Sequence, residues 1–151
     1  MIDGVHALAT HPDQWAALSA GEVDLGSATE EVFRWSTPIM HLARVATEHV
    51  ELAGRSVRAG DIVTAWTSSA NRDEAVFAEP DTFDLARSPN KHLAFGFGAH
   101  FCLGVYLARV EVSAMLAALV RYCGGIELTG PPRRIYSNVL DGFSRLPVRL
   151  R

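Results

Sequence analysis

Apolar residues fall at helical spacing near the start of this chain, at alternating spacing in its middle, and at helical spacing again after residue 102. Ile2, Val5 and Leu8 lie three apart and predict a helix over Ile2–Ala9, which Thr10-His11-Pro12 terminates. Pro12 suits the first position of a second short helix through Trp15 and Leu18. Gly21–Ser27 reads as a polar loop, with Thr29 as the cap of a third helix through Val32, Arg34 and Trp35 that Pro38 ends. From His41 the helical period is lost. Leu42, Val45, Val50 and Leu52 lie in β-prone runs, Ala53-Gly54 is a turn signal, and Arg55–Val57 leads through Arg58-Ala59-Gly60 into Ile62–Trp66. That pattern predicts an antiparallel hairpin or meander. Ser68 and Ser69 read as caps of a short helix over Asn71–Phe77, closed by Glu79-Pro80-Asp81. Thr82–His100 shows no sustained period, and long irregular segments inside compact domains are usually functional. A strong helix follows over Leu103–Cys123, with Leu103, Leu107, Val110, Met115, Leu119 and Val120 at three-and-four spacing. The tail reads as strands at Ile126–Leu128, Ile135–Tyr136 and Leu146–Leu150, with turns at Pro131-Pro132 and Asp141-Gly142. No repeat and no linker divides the chain.

Composition narrows the class. The 151 residues are 48% hydrophobic and 21% charged, which is globular and enough for a sizeable core. A net charge of −3 gives no general attraction to nucleic acid or anionic lipid, so neither is expected as a partner. The longest apolar runs, such as Ala114–Val120, are too short to cross a bilayer. No signal peptide is readable in MIDGVHALATHPDQ, and two isolated cysteines form no disulfide framework, so the expected location is cytoplasmic. The first helix has no capping residue before it, which gives it the look of the tail of a longer helix.

The candidate chemistry lies in Phe95–Gly104, FGFGAHFCLG. A cysteine must be a thiolate to bind a metal, and free cysteine at neutral pH is mostly thiol. Cys102 stands at the start of the Leu103–Cys123 helix, where the dipole favours negative charge. Gly96, Gly98 and Gly104 let backbone approach the sulfur and aim N–H donors at it, while Phe95 and Phe101 can shield it from water. Other readings fit the same residues. A lone cysteine before an apolar helix often is a small buried hydrophobe, and zinc is conceivable through His92, His100 and Cys102, although no fourth ligand stands at zinc spacing.

Phe95-x-x-Gly98-x-His100-x-Cys102-x-Gly104 resembles the haem-binding signature of the cytochrome P-450 superfamily. Other features agree in order. Glu31-Val32-Phe33-Arg34 is similar to the family's ExxR, whose two charges share one helix face. In the family this pair meets a second arginine ahead of the cysteine loop. The run that often carries it reads Pro80-Asp81-Thr82-Phe83 here, so Thr82 is a departure and Arg87 is the candidate third member. Arg44 and His100 resemble the two haem-propionate ligands. Ile39 and Met40, and Asn138 and Val139 within the C-terminal turn Ser137–Phe143, resemble pocket-lining stretches.

The resemblance implies a fold that is mainly α with small antiparallel β-sheets, the C-terminal part of a P-450 over residues 1–151. It implies haem b with Cys102 as axial thiolate, cradled by Phe95, Gly96, Gly98 and Gly104. It also implies a parent enzyme that inserts one oxygen atom of O₂ into a C–H bond of an apolar substrate, with sterols, terpenoids and fatty acids as the candidate classes. A ferredoxin or flavin-dependent reductase would donate electrons, with Lys91, Arg109 and Arg72 as candidate docking charges. The family's oxygen-activating acid and threonine would fall before Met1, so no catalytic residue is expected in this chain and the chain alone is expected to be inactive. A fragment, a miscalled start and a degraded gene each fit. A haem-binding module without turnover is the alternative.

Overall fold

The computed structural model describes all residues, 1–151. Its elements are α1 (Ile2–Thr10), α2 (Pro12–Ser19), α3 (Leu25–Ser36), β1 (His41–Val45), β2 (Val50–Leu52), β3 (Arg55–Val57), β4 (Ile62–Trp66), α4 (Thr67–Ala70), α5 (Val105–Tyr122), β5 (Ile126–Leu128), β6 (Arg133–Arg134), β7 (Phe143–Arg145) and β8 (Val148–Leu150). The strands form four separate antiparallel pairs. β1 pairs with β4 around the β2–β3 hairpin, and β5 pairs with β8 around β6 and β7.

The core joins α1, α2, α3 and α5 through Leu8, Trp15, Val32, Leu116 and Leu119, with Phe83 and Leu85 contributed by the irregular segment. Each such side chain contributes about 1.5–3 kcal/mol by leaving water. Helices α1 and α3 approach closely at Gly4, where a Cβ would lie 2.8 Å from Val32 Cγ1.

Several expected boundaries move. Helix α3 begins inside the expected polar loop, because Asp24 caps it by accepting from the Ser27 amide at 3.0 Å. Gly26 leaves room for that carboxylate, since a Cβ there would sit 2.7 Å from Asp24 Oδ2. Thr29 is no cap but a buried interior residue that donates to the Leu25 carbonyl. The expected helix over Asn71–Phe77 does not form: the single turn of α4 ends at Ala70 and turns follow. Asp73 bonds the Ala75 amide through its side chain, a local alternative that competes with helix. In the tail, the strands lie at Arg133–Arg134 and Phe143–Arg145, and Tyr136 is fully exposed.

Helix α5 is apolar on two faces. Val105, Val112, Leu116 and Leu119 enter the core, while Tyr106, Leu107, Val110 and Met115 remain exposed. The stripe read from sequence mostly follows the exposed face. In α1, by contrast, Leu8 is packed in the core, Val5 is half-buried and Ile2 is exposed.

Candidate haem-thiolate site

The cysteine loop closes on itself. The Cys102 amide donates to the Phe95 carbonyl at 3.0 Å, Gly96 donates to Leu93, and Phe101 donates to Gly98 across a 3-10 turn at Gly98–His100. Gly96 and Gly98 adopt φ of 74° and 78°, a region costly for residues with a Cβ. Gly104 is the N-cap of α5, so Cys102 precedes the helix by three residues, and a Cβ at Gly104 would lie 4.0 Å from Sγ. The Cys102 amide itself serves loop closure. Phe95 packs on Phe33 and Phe101, with ring centroids at 4.6 and 6.4 Å.

Two cavities of about 190 Å³ each meet at Leu42, Thr67, Leu93 and Gly96. One reaches Cys102 and His100, the other Arg44 and Phe97. Together they form a mostly apolar groove with a thiol on one wall and cationic or polar groups at its rim. Arg44 donates only to the carbonyl of Ala43 and has no carboxylate partner. Phe97 is 83% exposed. An apolar floor, a thiol on the wall, and Arg44 and His100 without carboxylate partners fit a flat, apolar macrocycle bearing carboxylate arms.

Ile39 and Met40 lie beside Asn138 and Val139. Met40 donates to the Val139 carbonyl at 2.8 Å, Asp141 donates to Pro38, Ile39 bridges Leu140, and His41 Nε2 bonds the Asn138 carbonyl. The four pocket candidates therefore share one short antiparallel ladder, although they are separated by almost a hundred residues.

Glu31, Arg34 and Arg87 also meet. Arg34 donates to both Glu31 oxygens at 2.7 Å, and both side chains are fully buried. Arg87 Nε lies 3.2 Å from Glu31 Oε2, close enough for an ion pair but off hydrogen-bond direction. Its Nη atoms donate to the carbonyls of Ala78, Glu79 and Thr82. The Thr82 carbonyl also accepts from Arg34, and the second guanidinium beside Glu31 comes from Arg87 rather than from position 82. Glu31 further accepts from the Asp84 amide and from Asn90 Nδ2.

Sequence reasoning missed Asn71. It is fully buried, donates to Thr37 Oγ1, accepts from the Leu93 amide at 2.7 Å, and gives its own carbonyl to Arg34. Thr37 sits at φ 35° as the left-handed C-cap of α3, a strained position for a β-branched residue, and Asn71 helps hold it. The Asn71-Arg72-Asp73 run carried no local signal for these distant contacts.

Sequence reasoning also missed Glu30 as a hub. Arg109 grips it through two bonds of 2.6 and 2.8 Å, and His92 Nε2 lies 3.1 Å from Oε2. Burial pushes the Glu30 carboxyl up, but Arg109 and His92 outweigh it and hold the pKa below its ordinary value. Burial holds His92 below its ordinary value against the opposing pull of Glu30. His92 is thus engaged away from Cys102, and no three His, Cys, Asp or Glu side chains are disposed to hold a metal ion, which removes the zinc reading.

Two docking charges require correction. Arg109 is neutralised by Glu30, whose bonds raise its pKa. Arg72 stacks on Trp35 at 4.3 Å and donates to the carbonyls of Arg34 and Trp35, so it staples α3 and is no free surface charge. Lys91 is exposed.

Comparison with known proteins places this geometry. A Cytochrome P450 family model matches residues 25–147. The chain belongs to the cytochrome P450 family. It is 54% identical over 144 residues to Cytochrome P450 NovI of Streptomyces niveus, covering 95% of this chain and 35% of that one. It is 44% identical to the methyl-branched lipid omega-hydroxylase of Mycobacterium tuberculosis, covering 96% and 34%. The crystal structure of P450 OxyD, involved in the biosynthesis of vancomycin-type antibiotics, superposes with a TM-score of 0.94 at 44% identity, over 98% of this chain and 38% of that one. P450BioI in complex with an acyl carrier protein ligated to hexadec-9Z-enoic acid gives 0.94 at 36% identity, over 99% and 39%. The chain therefore spans about a third of the length of the curated relatives it matches. Its fold is that of the C-terminal part of a P450, and family membership implies a haem cofactor. No helix is long and apolar enough to cross a membrane.

Proposed function

We propose that residues 1–151 are the haem-binding C-terminal portion of a P450 monooxygenase domain, with Cys102 as the axial thiolate of haem b. The observation that carries this reading is the groove joining Cys102, His100 and Arg44 across an apolar floor. Arg44 and His100 would hold the propionates, Gly96 keeps the floor open beneath Leu42, and Phe95 and Phe101 would limit water at the sulfur. When bound, thiolate-ligated haem supplies the iron chemistry that favours O–O cleavage. Ile39, Met40, Asn138 and Val139 would line the pocket edge and orient an apolar substrate for insertion of one oxygen atom into a C–H bond. Electrons would come from a ferredoxin or flavin-dependent reductase in the cytoplasm, with Lys91 as the remaining docking charge. The name of the 44% identical lipid hydroxylase supports an aliphatic substrate class.

A second reading, a haem-binding module without turnover, is favoured by the open groove, where Phe97 is 83% exposed. Labelled oxygen separates the two. Residues 1–151 within a complete P450 domain, loaded with haem and supplied with reduced ferredoxin and a panel of fatty acids, terpenoids and sterols, should place one labelled atom in product if turnover occurs. Haem binding with no label in any product supports the module.

A further inference from the structure

Glu30 contacts both legs of the cysteine loop. On the entering leg, His92 is 2% exposed, and its Nδ1 faces the Ala94 amide at 3.2 Å. An amide can only donate, so Nδ1 is the acceptor and Nε2 carries the proton that bonds Glu30. On the leaving leg, Arg109 lies in the second turn of α5, holds both Glu30 oxygens, and covers the Phe95 ring with its guanidinium at 5.1 Å. Phe95 in turn supplies the carbonyl that closes the loop onto the Cys102 amide.

Resting on the reading of Cys102 as the iron ligand, we infer that Glu30 is a positioning residue for the thiolate. Through His92 it fixes the entry of the loop, through Arg109 the exit, and so it sets the distance and direction of Cys102 from outside the ligand shell. This brace is distinct from the Glu31 cluster, which shares none of these three side chains. The charge arrangement is suited to the task. Arg109 neutralises Glu30, so the carboxylate can hold a neutral imidazole in one tautomer without adding a net charge near the sulfur. Outer-shell partners of this kind fix ligand orientation in metal sites generally.

The test uses the haem-loaded protein, read by the reduced carbon-monoxide spectrum and by the rate at which haem passes to a scavenger apoprotein, far below the unfolding temperature. Glu30→Gln keeps the shape of the side chain and removes its charge. It should accelerate haem transfer roughly 10–100-fold, the scale for losing an outer-shell partner, and shift part of the spectrum from thiolate to thiol ligation. Arg109→Gln, on a partly exposed side chain, should act in the same direction and decides the matter if Glu30→Gln does not fold. Glu30→Asp, which restores the charge, should recover most of the normal spectrum. Unchanged transfer and spectrum in the folded variants, with only a lower unfolding temperature, would reduce the network to a structural tie and overturn the inference. Survival of the thiolate spectrum in Cys102→Ser would instead overturn the ligand reading on which it rests.

Discussion

Around Glu31 and Arg34, every strong donor of a wholly buried guanidinium finds a carboxylate or carbonyl, and two asparagines complete the lattice. Across the groove by Cys102 the rule reverses: Arg44 has no counter-ion, His100 is exposed, and Phe97 stands largely in water. The first region meets nearly all of its bonding capacity, Arg87 Nε and Asn90 Oδ1 excepted, and the second leaves it unspent. Buried charge is tolerated only when paired and bonded on all sides, so the first region is built for folding. An open apolar groove with a few convergent polar groups is built for a ligand. Substitutions in the two regions should therefore fail in different ways.

The largest effect belongs to the satisfied region. Glu31→Ala strands Arg34 and Arg87 and should cost about 3–5 kcal/mol, a large share of a stability of about 5–15. Urea unfolding and haem content should fall together, and a soluble, haem-replete Glu31→Ala protein would show that the pair is dispensable. Asn71→Ala comes next, because it leaves the Leu93 amide without its acceptor. Each buried group so orphaned costs about 1–3 kcal/mol. Its unfolding midpoint should lie between those of Glu31→Ala and the unsubstituted protein.

Acid should weaken the Glu30 brace in two steps. His92 in the folded state titrates below its ordinary 6.5, so the unfolded chain takes up the proton first. Stability from His92 is therefore present above that value and lost as pH falls through the lower folded pKa. Glu30, held below its ordinary 4.5, adds a second loss of the same sign at lower pH. Burial depresses His6 as well, so the diagnostic comparison is His92→Gln, which should flatten the upper part of the pH dependence of the urea midpoint. An unaltered profile in that variant would remove His92 from the account.

Asp24→Ala, remote from both regions, should cost only about 1 kcal/mol through loss of the α3 cap. The haem spectrum should stay unchanged, which separates stability from ligand geometry.

The legible parts of this protein were those written locally. The cysteine loop, the strands His41–Trp66 and the pairing of Glu31 with Arg34 each depend on residues close in sequence, and Arg87 followed from the family resemblance. Contacts closed by distant main chain were not legible. Asn71 reads as an ordinary turn residue until Leu93, Thr37 and Arg34 surround it. Arg109 and Arg72 read as surface charges because nothing local reveals Glu30 or the face of Trp35 as their partners. Helix α5 offered two apolar faces, and periodicity alone could not tell which one the core takes.

The central claim is that Cys102, and not Cys123, donates the sulfur. Cys123 packs beside the core at the far end of α5, whereas Cys102 lines the groove. The deciding measurement is the spectrum of the reduced carbon-monoxide complex of the haem-loaded protein. The red-shifted thiolate band should be present in the unsubstituted protein and in Cys123→Ala and absent in Cys102→Ala. The same band surviving in Cys102→Ala would contradict the account.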